Sequence, residues 1–116
     1  MPPKIIISGY YGFKNSGDEA MLYAIIDALR ARIPGAELVV LSHRPRETAA
    51  EFGVRAVPRW SPFHLWRELG TADLLVSGGG SLLQDVTGPF SILYYLGVIY
   101  LALLRGKKVC LYGQGV

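Results

Sequence analysis

Short β-branched runs alternate along the chain with longer stretches in which apolar residues return at helical spacing. The first pattern marks buried strands and the second marks helices. Lys4–Ser8 reads as a strand ended by Gly9. Across Asp18–Ile33, the residues Met21, Leu22, Ile25, Ile26, Leu29 and Ile33 share one helical face until Pro34-Gly35 stops the helix. Glu37–Leu41 is a second strand, Arg46–Phe52 a short helix closed by Gly53, and Val54–Val57 a third strand broken by Pro58. Ser61 is placed to cap a helix that starts with Pro62 and runs through Leu69. Asp73–Ser77 is a fourth strand, Phe90–Leu104 an apolar helix and Lys108–Tyr112 a fifth strand.

Strands that are apolar on both faces and separated by helices predict a parallel sheet covered on both sides. The fold class is therefore α/β, a Rossmann-like doubly wound sheet. The 116 residues suffice for one such domain, 1–116. The chain stops at the carboxyl edge of its fifth strand, where open α/β sheets bind ligands. It is expected to be the first part of a larger protein whose second domain is absent here.

Composition narrows the picture. Hydrophobic residues make up 51% and charged residues 18%, which excludes an intrinsically disordered segment. The 14 glycines and 7 prolines follow no triplet period, so a collagen-like chain is excluded as well. A net charge of +3 is too mild to indicate a nucleic-acid partner. Low charge beside high apolar content suggests that part of the surface faces something other than water. The single cysteine, Cys110, cannot form an internal disulfide, favours a reducing compartment and reads as an inert thiol buried in the last strand. Near the start, one lysine precedes only a short apolar run, too little for a secretory leader. Ile92 to Leu104 falls well short of the ~20 residues that span a bilayer. It reads as a buried helix, with a membrane-surface helix as the alternative.

Two loops carry the candidate chemistry. The first, Gly9 to Ala20, joins the first strand to the first helix. Its glycines at 9, 12 and 17 do not form the dinucleotide fingerprint. Gly12 and Gly17 have P-loop spacing, but Asp18 and Glu19 stand where Lys and Ser or Thr are required, and they would repel a phosphate. ATP and NAD are both rejected on this loop. Ser16 and Glu19 match a capping box, and Asp18 suits the positive end of the helix. Capping leaves Tyr10, Tyr11, Phe13 and Asn15 unexplained: aromatic platforms and polar groups in an exposed loop suit a sugar or another apolar face.

The second loop is Gly78-Gly79-Gly80-Ser81, followed by Leu82-Leu83 and then Gln84-Asp85. Successive glycines let a ligand approach the backbone, and their amides can converge on an anion. A tight turn with close helix–strand packing explains the same glycines, and capping of the next turn explains Asp85. His43 and His64 lack metal-ligand spacing and read as surface or helix-end residues, so no metal site is expected. Between His43 and Arg67 there are five arginines and two glutamates, with Trp60 and Trp66 interleaved. Such a stretch can bind a diphosphate or an anionic surface, or it can be a solvated face.

The two loop motifs together resemble a known family. Ile7-Ser-Gly-Tyr-Tyr-Gly-Phe-x-Asn15-x-Gly17-Asp18-Glu19-Ala20 and Val76-Ser-Gly-Gly-Gly-Ser-Leu-Leu-Gln84-Asp85 resemble the polysaccharide pyruvyl transferases, in their CsaB-like branch. Leu93-Tyr-Tyr-Leu-Gly-Val and Tyr112-Gly-Gln-Gly fit the same pattern. The resemblance implies a glycosyltransferase-B-like pair of Rossmann-like domains, of which this chain is the N-terminal one. It implies transfer of the enolpyruvyl group of phosphoenolpyruvate to a sugar of a lipid-linked cell-wall polysaccharide precursor, giving a pyruvate ketal. In that branch the product anchors surface-layer proteins.

By the same resemblance, phosphoenolpyruvate is the donor substrate and no cofactor is needed. The implied setting is the cytoplasm at the inner face of the cell membrane. The partners implied are the lipid-linked saccharide acceptor, the missing C-terminal domain and a peripheral membrane contact, with no nucleic acid. Tyr11, Phe13, Asn15, Asp18, Glu19, Gly78, Gly79, Gly80, Ser81, Gln84 and Asp85 are carried over as substrate-binding positions. The catalytic groups are expected beyond residue 116, so the isolated chain is expected to be inactive. The alternatives are a nucleotide-sugar glycosyltransferase of the same architecture and a non-catalytic α/β binding module.

Overall fold

Branched aliphatic side chains on both faces of a strand force a sheet to be covered on both sides. The computed structural model, which describes residues 3–8, 16–77 and 89–111, has that arrangement. Strands β1 (Lys4–Ser8), β2 (Glu37–Ser42), β3 (Arg55–Pro58), β4 (Leu74–Ser77) and β5 (Lys108–Leu111) alternate with helices. These are α1 (Ser16–Arg32), α2 (Pro45–Phe52), α3 (Pro62–Thr71) and α4 (Pro89–Leu104). The strands lie in the order β3-β2-β1-β4-β5, and each described pair is parallel. The fold is α/β with a Rossmann-like sheet.

Ile6, Val39, Leu41, Val57 and Leu75 face α3 and α4, where Leu65, Leu69, Val98 and Ala102 meet them. The alternate positions Ile5, Ile7, Leu38, Val40 and Val76 pack against Leu22, Ile25 and Ile26 of α1. Truncating one of these side chains to alanine would cost about 2–5 kcal/mol. The chain steps outward from β1 to β3 with α1 and α2 on one face. It then returns across the sheet to set β4 beside β1, with α3 and α4 on the other face. The strand order therefore reverses between β1 and β4.

Local signals explain the joints. Ser61 caps α3, its hydroxyl accepting from the His64 amide at 3.4 Å, with Pro62 in the first turn. Gly53 ends α2 in the left-handed conformation at φ 65°, and the Arg30 guanidinium donates to its carbonyl at 2.9 Å. Most predicted boundaries fall within two residues of those observed.

Three expectations need correction. Pro58 closes β3 rather than breaking it, opposite Ser42. This is tolerated because β3 borders the described sheet, where a missing N–H costs no ladder bond. Cys110 is exposed, not buried. It pairs with Val76 on the α1 side of the sheet, but β5 lies at the far border, outside the cluster that α1 covers. Over residues 96–104 the apolar helix α4 is only half buried: Val98 and Ala102 face the sheet, whereas Leu96, Tyr100, Leu103 and Leu104 are each more than half exposed.

Candidate functional site

The carboxyl ends of β1 and β4 are adjacent, with Ser8 paired to Ser77 in the ladder. This is the point at which connections diverge to opposite faces and leave a crevice. The serines share the pleat of Ile6 and Leu75, and so face the α3/α4 side. Each is 1% exposed, and neither hydroxyl has a hydrogen-bond partner among the described residues. A buried hydroxyl without a partner costs roughly 1–3 kcal/mol, so two side by side mark a place where stability is given up. Hydroxyl groups there can donate to the oxygen of a phosphate, a carboxylate or a sugar.

Ser42, at the end of β2, shows the contrasting case. Its hydroxyl accepts from the Arg44 amide at 2.9 Å and bonds the Thr48 hydroxyl at 2.7 Å. Arg44 makes no side-chain cap for α2, so Ser42 meets part of that need. Its chemistry is fully used within the fold.

At the opposite, amino edge of the sheet lies a network of charge. The Lys4 ammonium donates to Thr71 Oγ1 and pairs with Glu68 Oε1, each at 2.6 Å. Arg55 bridges Glu68, at 2.9 Å, and Glu37. Burial pushes the Glu68 carboxyl up, but the hydrogen bond and charge of Lys4, with those of Arg55, outweigh it and hold the group below its ordinary range. The hydrogen bond to Glu37 leads the causes that raise the Arg55 guanidinium, against its own desolvation. These groups lie away from the ligand edge and satisfy one another, so the network serves the fold.

Of the positions expected to bind substrate, Tyr11, Phe13, Asn15, Gly78, Gly79, Gly80, Ser81, Gln84 and Asp85 lie outside the described residues. Asp18 lies in the first turn of α1, and Glu19 beside it is half-buried. The two loops spring from neighbouring strand ends, Ser8 and Ser77. The expected crevice thus has its floor in the described residues. The paired serines themselves were missed as site residues, although a signal was present: β1, β2 and β4 are apolar runs that each end in serine.

Sequence reasoning also missed an apolar cavity of about 400 Å³ between α3 and α4. Trp60, Leu65, Val98 and Tyr100 line it, and the buried Arg59 stands at its wall. Arg59 prolongs β3, its amide donating to the Ser42 carbonyl at 3.0 Å.

A family model described as polysaccharide pyruvyl transferase matches residues 15–116. No curated protein matches the chain.

Proposed function

The chain belongs to the polysaccharide pyruvyl transferase family, and from this we propose that it helps move enolpyruvyl from phosphoenolpyruvate to a sugar of a lipid-linked cell-wall precursor. The observation that carries the reading is the family match over residues 15–116, a span holding the second half of the first loop, from Asn15, and all of the second. The paired serines at the β1/β4 reversal support it, because they put unspent hydrogen-bonding capacity where both loops begin.

The chemistry defines what the protein must provide. A proton adds to the methylene carbon of phosphoenolpyruvate, and the adjacent carbon becomes open to attack by two sugar hydroxyls. The carbon–oxygen bond to phosphate breaks, phosphate leaves, and the two hydroxyl protons balance the one gained by carbon and the one released. Such a reaction needs a general acid and groups that hold the donor's carboxylate and phosphate. On this reading Asn15, Asp18 and Glu19 from the first loop, with Tyr11 and Phe13 as platforms, contact the acceptor. Gly78, Gly79, Gly80 and Ser81 bring backbone amides close to the ligand, and Gln84 and Asp85 complete the wall. The donor is a substrate and no cofactor takes part. The second domain supplies the acid, and the reaction runs at the cytoplasmic face of the membrane.

The test is incubation of the protein as the cell makes it with a lipid-linked saccharide and either phosphoenolpyruvate or a nucleotide sugar. Phosphate release with a ketal on the acceptor, seen by mass spectrometry, is the expected result. Sugar transfer from the nucleotide sugar, with phosphoenolpyruvate inert, would replace this reading by a glycosyltransferase of the same fold.

A further inference from the structure

Helix α4 carries no Asp, Glu, Lys or Arg in its 16 residues, yet one side of it faces water. Leu96, Tyr100 and Leu103 are exposed there. On the neighbouring α3, Phe63 is 66% and Trp66 43% exposed, and Trp60 stands exposed just before it. The cavity between α3 and α4 joins the two halves of this surface. A patch this apolar on a water-facing side marks an interaction surface.

Among the described residues, the charges of α3 and of the turn after α4 that flank its aromatics, Arg67 and Arg105, are of one sign. Arg105 lies 4.3 Å from the centre of the Trp66 ring and Arg67 5.7 Å from that of Phe63, while Arg59, 4.7 Å from Trp60, is buried beneath the surface. The single carboxylate of α3, Glu68, is tied to Lys4 and Arg55. The surface is therefore apolar in its body and cationic beside its aromatics. Tryptophan and tyrosine settle at the level of lipid headgroups, and arginine keeps its guanidinium in the polar layer while its stem stays apolar.

We propose that the α3/α4 face docks in the plane of an anionic lipid bilayer, with Phe63, Trp66 and Tyr100 entering the headgroup layer and Arg67 and Arg105 meeting lipid phosphates. Lying on the bilayer is the geometry the lengths allow: no described helix is long and apolar enough to cross a membrane. Pairing of two copies through this face would gather Arg67 and Arg105 of both at one interface with no carboxylate of α3 or α4 free to offset them. An anionic surface relieves that charge. The inference stands on this face alone and does not depend on the donor or acceptor proposed above.

Co-sedimentation with vesicles tests it. The full chain should pellet with vesicles of phosphatidylcholine containing about one-third phosphatidylglycerol and stay in solution with phosphatidylcholine alone. Raised salt should weaken the binding. The double change Phe63→Ala with Trp66→Ala should weaken it by roughly tenfold or more, as the loss of two buried aromatic groups implies. Leu103→Glu, at an exposed position, should do the same from α4, with circular dichroism confirming the fold of each variant. The proposal is overturned if folded variants bind as well as the parent, if neutral vesicles are bound equally, or if neither vesicle is bound. A dimer in solution that the same variants dissociate would also overturn it and assign the face to self-association.

Discussion

The guanidinium of Arg105, just past the end of α4, stacks at 4.3 Å on the ring of Trp66 in α3. It can do so because α3 carries glycine at position 70, where a Cβ would run into the Arg105 guanidinium. The two helices of one face are thus joined by a cation lying over an aromatic ring, in a space left by a missing side chain.

Gly70→Ala is expected to dislodge that cation while leaving the fold in place. The clashing group is the far end of a flexible side chain, so it can swing away. Alanine gains about 0.5–1 kcal/mol over glycine within a helix, and an exposed cation–π contact is worth about the same. The two nearly cancel, so the melting temperature should stay close to the parent's while tryptophan fluorescence changes. An unchanged spectrum would contradict the stacking.

Ser8→Ala and Ser77→Ala should reverse the usual penalty for a buried substitution. Each removes a hydroxyl that has no partner among the described residues, so each should leave stability unchanged or raise it by up to about 1 kcal/mol. If these hydroxyls serve a ligand, turnover in the complete enzyme should fall in the same variants. Urea denaturation and a phosphate-release assay separate the two effects. A loss of stability would mean that the hydroxyls are spent inside the fold.

Glu68→Gln should weaken the protein at neutral pH by about 1–3 kcal/mol, the range for a hydrogen bond to a charged group. The sign of the pH dependence follows from the depressed carboxyl. A group whose folded pKa lies below its unfolded one contributes fully above the unfolded value, and the contribution fades as pH falls through the folded value. Parent stability should therefore decline as pH drops below about 4.3, and the glutamine variant should lose this part of the slope. Denaturation at several acidic pH values is the check, and parallel curves would remove Glu68 from the account.

Thr48→Val keeps the shape of a buried residue and deletes one of the two partners of the Ser42 hydroxyl, leaving the Arg44 amide. Stability should drop by about 0.5–1.5 kcal/mol, as expected for the loss of one buried hydrogen bond. The slope of the denaturation curve should not change.

Much of the fold was legible because strand runs such as Ile5–Ile7 and Val39–Leu41 have no polar face to present to water. The joints were legible where chemistry leaves few choices, as at Ser61-Pro62 and Gly53. Cys110 was misplaced because burial depends on what stands over a strand, and β5 lies beyond the reach of α1. The exposed side of α4 was misread for a related reason. An apolar composition says that a helix avoids water, but not which of its sides the rest of the chain will cover. Ser8 and Ser77 escaped notice because each is an ordinary strand-ending residue alone, and only the parallel register brings them together.

That register also bears on how the protein is made. Lys4 and Asp73, hydrogen-bonded at 2.8 Å where β1 meets β4, are 69 residues apart in the chain. During synthesis, β1 can pair with β2 early, but its other edge must wait for β4. At about 5–20 residues per second, the wait is on the order of 3–14 s. Throughout that interval the nascent chain shows a bare edge of Lys4-Ile-Ile-Ile-Ser8, the kind of strand that recruits another copy of itself. Faster elongation between β3 and β4, or a chaperone holding that edge, should raise the yield of folded protein without altering its final stability.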